Sequence, residues 1–444
     1  MRRRNFLSAA GLGAVGLTAA ACGSSSSDTN SGSGTPASAG TSSGASSSAK
    51  ELTGTGPFNY VQGKDNNGFV HTLIDAFNKQ NPNEKATLIE LSPAADQQRQ
   101  SMVQNFTSKT DTYGVVSVDV VWTAEFAANG WITELDRSKF PLDSYLPATV
   151  STGEYFGKLY AAPSTSDGGM LYYRTDLLKA AGIAAAPATW EEMVAAIKKV
   201  QATNPQMGGY VGQFQKYEGL TVNFQEAVRS ANGAIVDDKG KPVVNSADAL
   251  KGLNFLVDGF KQGYIPREAI TYMEEECRHA FQDGKVMFMR NWPYAYSLLS
   301  ATDGSSKVTG KFAIAPLPGM SGPGTSSLGG HNFAVSSFTK NKASCLKFIQ
   351  FMTDKAQQVT TIQEASSAPV IAELYDDPAL VKKFPYLPVL KKSIENAKRR
   401  PQAVKYNDVT TAIQTAAYGA LQGNTAPKDA LSTLQDKLKG LLTT

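Results

Sequence analysis

Few residues in this sequence have the type and spacing that chemistry requires. The histidines, His71, His279 and His331, lie far apart and at no metal-binding spacing, so no metal site is expected. Gly40-Thr41-Ser42-Ser43-Gly44 has the form of a nucleophile elbow, but no strand precedes it and no helix follows. Ser337-Phe338-Thr339-Lys340 has the form of a serine–lysine dyad without the companion motifs of such enzymes. No phosphate-binding loop is present. There remain three acids, Asp119, Asp167 and Glu274. Two carboxyls set across a glycosidic bond can cleave it, provided one keeps a raised pKa in a fixed place. Carboxylates can also do simpler work, as strong acceptors for hydroxyl groups.

The setting of each candidate narrows its use. Asp119 lies in Ser117-Val118-Asp119-Val120-Val121-Trp122, an apolar strand, so its carboxylate must be paired or hydrogen-bonded. Anchoring a helix N-terminus is the structural alternative. Trp122 and Glu125 follow at the strand end and line a rim, with the core as the equal alternative for Trp122. Asp167 precedes Gly168-Gly169, where the backbone can approach closely. Glu274 opens the run Glu274-Glu275-Glu276, a pattern that otherwise reads as a solvated helix start. Trp292 sits between Asn291 and Pro293 just past an apolar strand, where a large ring faces a mouth rather than a core, and Tyr294 shares that turn. Aromatic faces beside hydrogen-bonding groups suit a ligand with apolar faces and many hydroxyls.

Elements must position these groups. Phe58–Val61, Thr87–Leu91 and Ser117–Trp122 read as strands, separated by helices over Gly68–Gln80 and Asp96–Phe106. The first helix puts Phe69, Leu73, Ile74 and Phe77 on one face. Such alternation predicts parallel sheets with helices on both faces. Ligands on such sheets bind outside the carboxyl ends of strands, here near Gln62–Asn67, Ser92–Gln98 and Trp122–Glu125. A second α/β set follows: strands at Met170–Tyr173 and Lys285–Arg290, and a helix opened by the capping box Thr189-Trp190-Glu191-Glu192. Phe312–Ala315 reads as a strand returning to the first sheet, and Ala343–Thr353 and Ala426–Leu442 as amphipathic helices. Two sheets, with the chain crossing between them more than once, make a bilobed layout.

The leader and composition set the compartment. Arg2, Arg3 and Arg4 precede the apolar stretch Phe6–Ala21, a signal peptide over 1–21 whose Arg3-Arg4-Asn5-Phe6-Leu7 also reads as a twin-arginine signal. Ala19-Ala20-Ala21-Cys22-Gly23 resembles a bacterial lipobox, with Cys22 as the acylated residue. The Ser/Gly-rich segment that follows, to residue 50, buries too little apolar surface to order and reads as a tether. The expected location is therefore extracytoplasmic, anchored to the cell membrane. Cys277 and Cys345 fall in different lobes and are expected as buried free thiols. A net charge of +4 without a basic stripe excludes a nucleic-acid partner.

Leu159-Tyr160-Ala161-Ala162-Pro163, Leu171-Tyr172-Tyr173-Arg174-Thr175-Asp176-Leu177-Leu178 and Pro187-Ala188-Thr189-Trp190-Glu191-Glu192, in that order, resemble family 1 extracellular solute-binding proteins. Lys216-Tyr217-Glu218-Gly219-Leu220, Arg290-Asn291-Trp292-Pro293-Tyr294-Ala295-Tyr296 and Leu328-Gly329-Gly330 are similar to the trehalose/maltose-binding branch. The resemblance covers nearly all of the chain after Glu51. It implies a type II periplasmic-binding-protein-like α/β fold: lobe 1 at 51–164 with 309–353, lobe 2 at 165–308 with 354–444, and a ligand cleft between hinged lobes. It implies a disaccharide ligand, trehalose or a related α-glucoside, and ABC permease subunits as the membrane partner of a monomer, with no cofactor. By resemblance, Asp119, Asp167 and Glu274 meet the sugar, and Trp292 and Tyr294 supply stacking or edge contacts. Arg400 reaches the sugar, with Arg399 adjacent to it, and Arg99 binds the sugar or supports the site. An acid falls at Asp65 or Asn66. Gly329 and Gly330 offer backbone amides, and His331 stands where some relatives carry Trp. A secreted glycoside hydrolase and a sugar sensor without a transporter are the alternative readings.

Overall fold

A computed structural model describes residues 50–442, so the expected leader, Cys22 and nearly all of the tether lie outside the described residues. Strand β1 (Phe58–Gln62) buries Phe58, Tyr60 and Val61. The helix Val70–Gln80 follows and buries Leu73, Ile74 and Phe77 on its apolar face. It starts two residues later than its pattern suggests, because Gly68 takes a left-handed turn (φ +67°) and the Asp65 carboxylate accepts the Val70 N–H at 2.7 Å. Strand β2 (Ala86–Glu90), the helix Ala95–Thr107 and strand β3 (Val115–Asp119) complete the first βαβαβ run, with β1 parallel to both β2 and β3.

A small hairpin, β4 (Glu154–Tyr155) with β5 (Lys158–Leu159), precedes β6 (Ala162–Gly168) and β7 (Met170–Arg174). Strands β8 (Gly208–Val211), β9 (Val286–Asn291), β10 (Phe312–Ala315) and β11 (Leu328–Val335) follow. One sheet has the order β2-β1-β3-β11-β6 and the other β10-β7-β9-β8. The architecture is the expected α/β fold with two sheets. The capping box at Thr189 is formed, with Glu192 N–H donating to Thr189 Oγ1 at 3.1 Å and Thr189 N–H to Glu192 Oε2 at 3.0 Å, an arrangement of about 1 kcal/mol. Cys277 and Cys345 are buried free thiols.

Three expectations need correction. Both sheets are mixed rather than parallel: β11 runs antiparallel to β3 and β6, and β7 antiparallel to β9 and β10. Parallel pairing needs a crossover connection, usually a helix. Strands β7 and β11 instead enter their sheets directly from the other sheet. Second, Phe312–Ala315 pairs with β7 and so belongs to the second sheet. The Phe312 ring packs edge-on against Phe281 and tilted against Tyr172, which holds the strand there. The chain returns to the first sheet only at Leu328. Third, β3 stops at Asp119. Trp122 leads into the helix Thr123–Ala128, with its ring buried and stacked on Phe126. That packing makes it core rather than rim.

The chain passes from the first sheet to the second at β6–β7, with Gly169 as the only intervening residue, and back again between β10 and β11. The segment at Lys398 lies along this return, with Leu328 N–H donating to Lys398 O and Lys398 N–H to Ser326 O, both at 2.9 Å. Strand ends from both sheets therefore meet where these connections run.

Candidate ligand-binding site

A cavity of about 410 Å³ opens at these strand ends. Its size suits a small-molecule site, for which ~300–1,000 Å³ is usual. From the first sheet it receives the loop after β1, the end of β3, and the facing strands β6 and β11. From the other side come the starts of the helices Glu218–Ser230 and Glu274–Gln282 and the turn after β9.

Asp119 ends β3 and is only 9% exposed. Its Oδ1 accepts Arg400 Nη2 at 2.7 Å and the Val121 N–H at 3.1 Å. Arg400, itself 3% exposed, also donates from Nη1 to Glu218 Oε1 at 2.6 Å. Glu218 accepts two hydroxyls as well, Thr410 at 2.7 Å and Tyr406. One guanidinium thus joins an acid on β3 to an acid at a helix start on the far wall. Burial raises the Glu218 carboxyl to about 7 against the pull of Arg400, with the Asp119 charge adding to the rise. The Arg400 Nε–H is buried without a partner among the described residues.

Asp167 lies in β6 opposite Gly329 of β11. Its carboxylate makes no hydrogen bond among the described residues and faces the cavity half-buried. Burial raises it to about 7, the Asp119 charge adds to this, and Arg290 opposes it. The acid is open to the cavity and remote from bulk water, so its free lone pairs are available to a ligand. Gly329 makes room for the neighbouring ring: a Cβ there would lie 2.8 Å from Trp292 ring atoms and 3.3 Å from Asp167 Cβ. Gly330 has φ +113°, and a Cβ there would meet Thr165 O at 2.2 Å. Its carbonyl is taken by the Val120 N–H at 3.3 Å. His331 pairs with Asp119 across the sheet, and burial lowers its pKa, with the Asp119 charge opposing. The imidazole is accordingly neutral near pH 7.

On the other wall, Trp292 follows β9 with the Arg290 guanidinium 3.7 Å from its ring centroid. Tyr294 donates its hydroxyl to Glu275 Oε1 at 2.6 Å, and Tyr217 donates to Glu274 Oε2 at 2.6 Å. Burial raises the Glu274 carboxyl, partly offset by the Tyr217 hydroxyl. Glu274 and Glu275 are thus not a solvated helix start; only Glu276 is exposed, and it caps its own helix by accepting the Met273 N–H at 3.0 Å. The loop after β1 brings Lys64, Asp65, Asn66 and Asn67 to the cavity. Asn67 donates to Ser297 Oγ at 2.8 Å.

Eleven of the twelve expected ligand residues line this one cavity; Arg99 does not. Arg99 is instead forked onto Glu125, with Nε to Oε2 at 2.8 Å and Nη2 to Oε1. Neither member of that pair, nor Trp122, lies on the cavity wall, so this strand contributes through Ser117 and Asp119 instead. The Asp65 carboxylate is committed to the Val70 N–H, which leaves the exposed Asn66 the freer of the two. Arg399 sits off the cavity, donating to Ala148 O at 3.4 Å, so Arg400 is the one that faces it. Glu218 and Tyr217 were missed as individual residues. Their only signal was the block Lys216–Leu220, which carries the resemblance without saying which side chain points inward.

Residues 63–359 match the family of bacterial extracellular solute-binding proteins. A probable ABC transporter-binding protein of Deinococcus radiodurans is 36% identical over 375 residues, covering 82% of this chain and 88% of the relative. The galactooligosaccharide-binding protein of Bacillus subtilis is 24% identical over 337 residues, 72% of this chain and 75% of that one. The maltose-bound structure of T. maritima MalE3 has a TM-score of 0.83 at 33% identity, covering 87% of this chain and 99% of that one. The GacH receptor of Streptomyces glaucescens GLA.O, at a TM-score of 0.78 and 22% identity over 88% of this chain and 99% of that one, shares the fold.

Proposed function

The chain belongs to the bacterial extracellular solute-binding protein family, and from that premise we propose that it captures a disaccharide, trehalose or a related α-linked glucoside such as maltose, for an ABC importer. Membership of a binding family sets the hydrolase reading aside. The observation that carries the proposal is the meeting of Trp292 and Asp167 over Gly329: an indole backed by a guanidinium beside a carboxyl with no hydrogen-bond partner among the described residues. A sugar ring offers an apolar face to the indole and hydroxyls to the acids. The likeness to a maltose-bound relative at 33% identity supports the ligand class. The likeness to an ABC transporter-binding protein supports the importer as partner. In this reading Asp119, Glu274, Tyr294, His331 and Arg400 contact the sugar directly, and Asn66 and the glycine strand complete the wall. Cys22 is lipidated and holds the protein at the outer face of the membrane.

A ligand bound only by the folded state raises the melting temperature. Titration with trehalose, maltose and a galactooligosaccharide, followed by thermal unfolding and by assay for released monosaccharide, tests the proposal. The expected result is a concentration-dependent rise with an α-glucoside and no cleavage. No response to any of these sugars, or cleavage of one, would overturn it.

A further inference from the structure

Behind the Trp292 ring lies a buried ion pair that is not part of the ligand cavity wall. Arg290, fully buried, donates Nε to Glu226 Oε2 at 2.8 Å and Nη2 to Glu226 Oε1 at 2.6 Å, and its guanidinium carbon stands 3.7 Å from the Trp292 ring centroid. The same Glu226 Oε1 accepts the Ser327 N–H at 3.0 Å, and the Ser326 hydroxyl lies 3.3 Å from it and 2.8 Å from Ser327 O, either of which can accept its proton. Ser326 Oγ in turn accepts the Gly169 N–H at 2.6 Å. Gly169 and Ser326–Ser327 belong to the two connections that carry the chain between the sheets. Space at this junction is used to its limit: a Cβ on Gly169 would lie 2.6 Å from Arg290 Nη2 and 2.8 Å from Glu226 Oε1.

A buried pair of this kind gains little net stability over apolar groups of the same volume, so stability alone is a weak reason for it. Its geometry does something apolar groups cannot. The forked carboxylate fixes the plane of the guanidinium, and that plane orients the indole by a desolvated cation–π contact. The second face of the carboxylate fixes the crossing strands. We propose that Glu226 and Arg290 are positioning residues that lock the Trp292 ring to the strands crossing between the sheets, so that a sugar stacked on the ring is felt directly by those strands. The proposal rests on the sugar-binding reading for its ligand, but not for the locking of the ring.

The test is 15N-indole relaxation in the full chain, whose four tryptophans give separate side-chain signals, with Trp292 assigned by Trp292→Phe. Without sugar, Glu226→Gln and Arg290→Lys should lower the heteronuclear NOE of the Trp292 indole and leave Trp122, Trp131 and Trp190 rigid. If either single variant fails to fold, the double replacement Glu226→Leu with Arg290→Met fills the same volume with apolar atoms, a change buried pairs often tolerate, and should give the same mobility. A Trp292 indole as rigid as in the wild type overturns the locking, whatever the protein binds. With a sugar that binds the wild type, hydrogen exchange at Gly169 and Ser327 should slow on sugar addition, whereas the double variant should lose that protection and bind about tenfold more weakly. Retained protection and affinity in the double variant overturn the coupling. Absence of binding by the wild type counts against the functional reading of the previous section, while the indole mobility still decides the locking.

Discussion

Arg400 donates from Nη2 to Asp119 Oδ1 at 2.7 Å, tying the carboxyl end of β3 to a segment 281 residues further along the chain. The same guanidinium holds Glu218, so removal of Arg400 strands two buried acids at once. Arg400→Met should therefore cost about 3–5 kcal/mol of stability and abolish sugar binding. Arg400→Lys, a point charge without the fork, should recover part of the stability and little of the affinity. Denaturant unfolding and calorimetry report the two effects separately.

Trp292 is half-buried and lines the cavity. Trp292→Ala should leave the fold in place and weaken sugar binding by about 2 kcal/mol, roughly thirtyfold, the scale of one aromatic side chain removed from a buried contact. Unchanged affinity in a calorimetric titration would remove the stacking role.

The adjacent glycines should separate binding from folding. Gly329→Ala puts a methyl 2.8 Å from the Trp292 ring at an ordinary backbone conformation, so the ring must shift and affinity should fall more than stability. Gly330→Ala places a Cβ 2.2 Å from Thr165 O at φ +113°, where only the backbone can give way. Its main effect should be lost stability, by about 1–3 kcal/mol, read from thermal melts of the two variants side by side.

Asp167 sets a pH dependence whose sign follows from burial. Its carboxyl rises to about 7 in the folded protein, against about 3.9 in an unfolded chain. Between those values the folded state binds the extra proton, so this group's contribution to stability falls as pH rises from about 4 to about 7. Asp167→Asn removes the titration. The variant should match the wild type near pH 4 and gain on it progressively, with the widest gap in melting temperature above pH 7. A gap that does not vary with pH would contradict the assignment.

The sequence alone decided the local elements, because their causes are local. The apolar spacing of Leu73, Ile74 and Phe77 and the Thr189–Glu192 capping box each act within a turn or two of chain. The resemblance marked eleven of the residues that line the cavity, Trp292, Asp119 and Arg400 among them. What it left open depends on partners far away in the chain. Whether Arg99 meets a ligand or Glu125, whether Arg399 or Arg400 faces the cavity, and which side chain of Lys216–Leu220 points inward were decided by packing. So was the sheet that Phe312–Ala315 joins: its alternation suits either edge, and only contacts with Tyr172 and Phe281 select one. A strand carries its own pattern of burial in its sequence. The identity of its neighbour is a property of the surfaces that meet, and these exist only once the chain has folded.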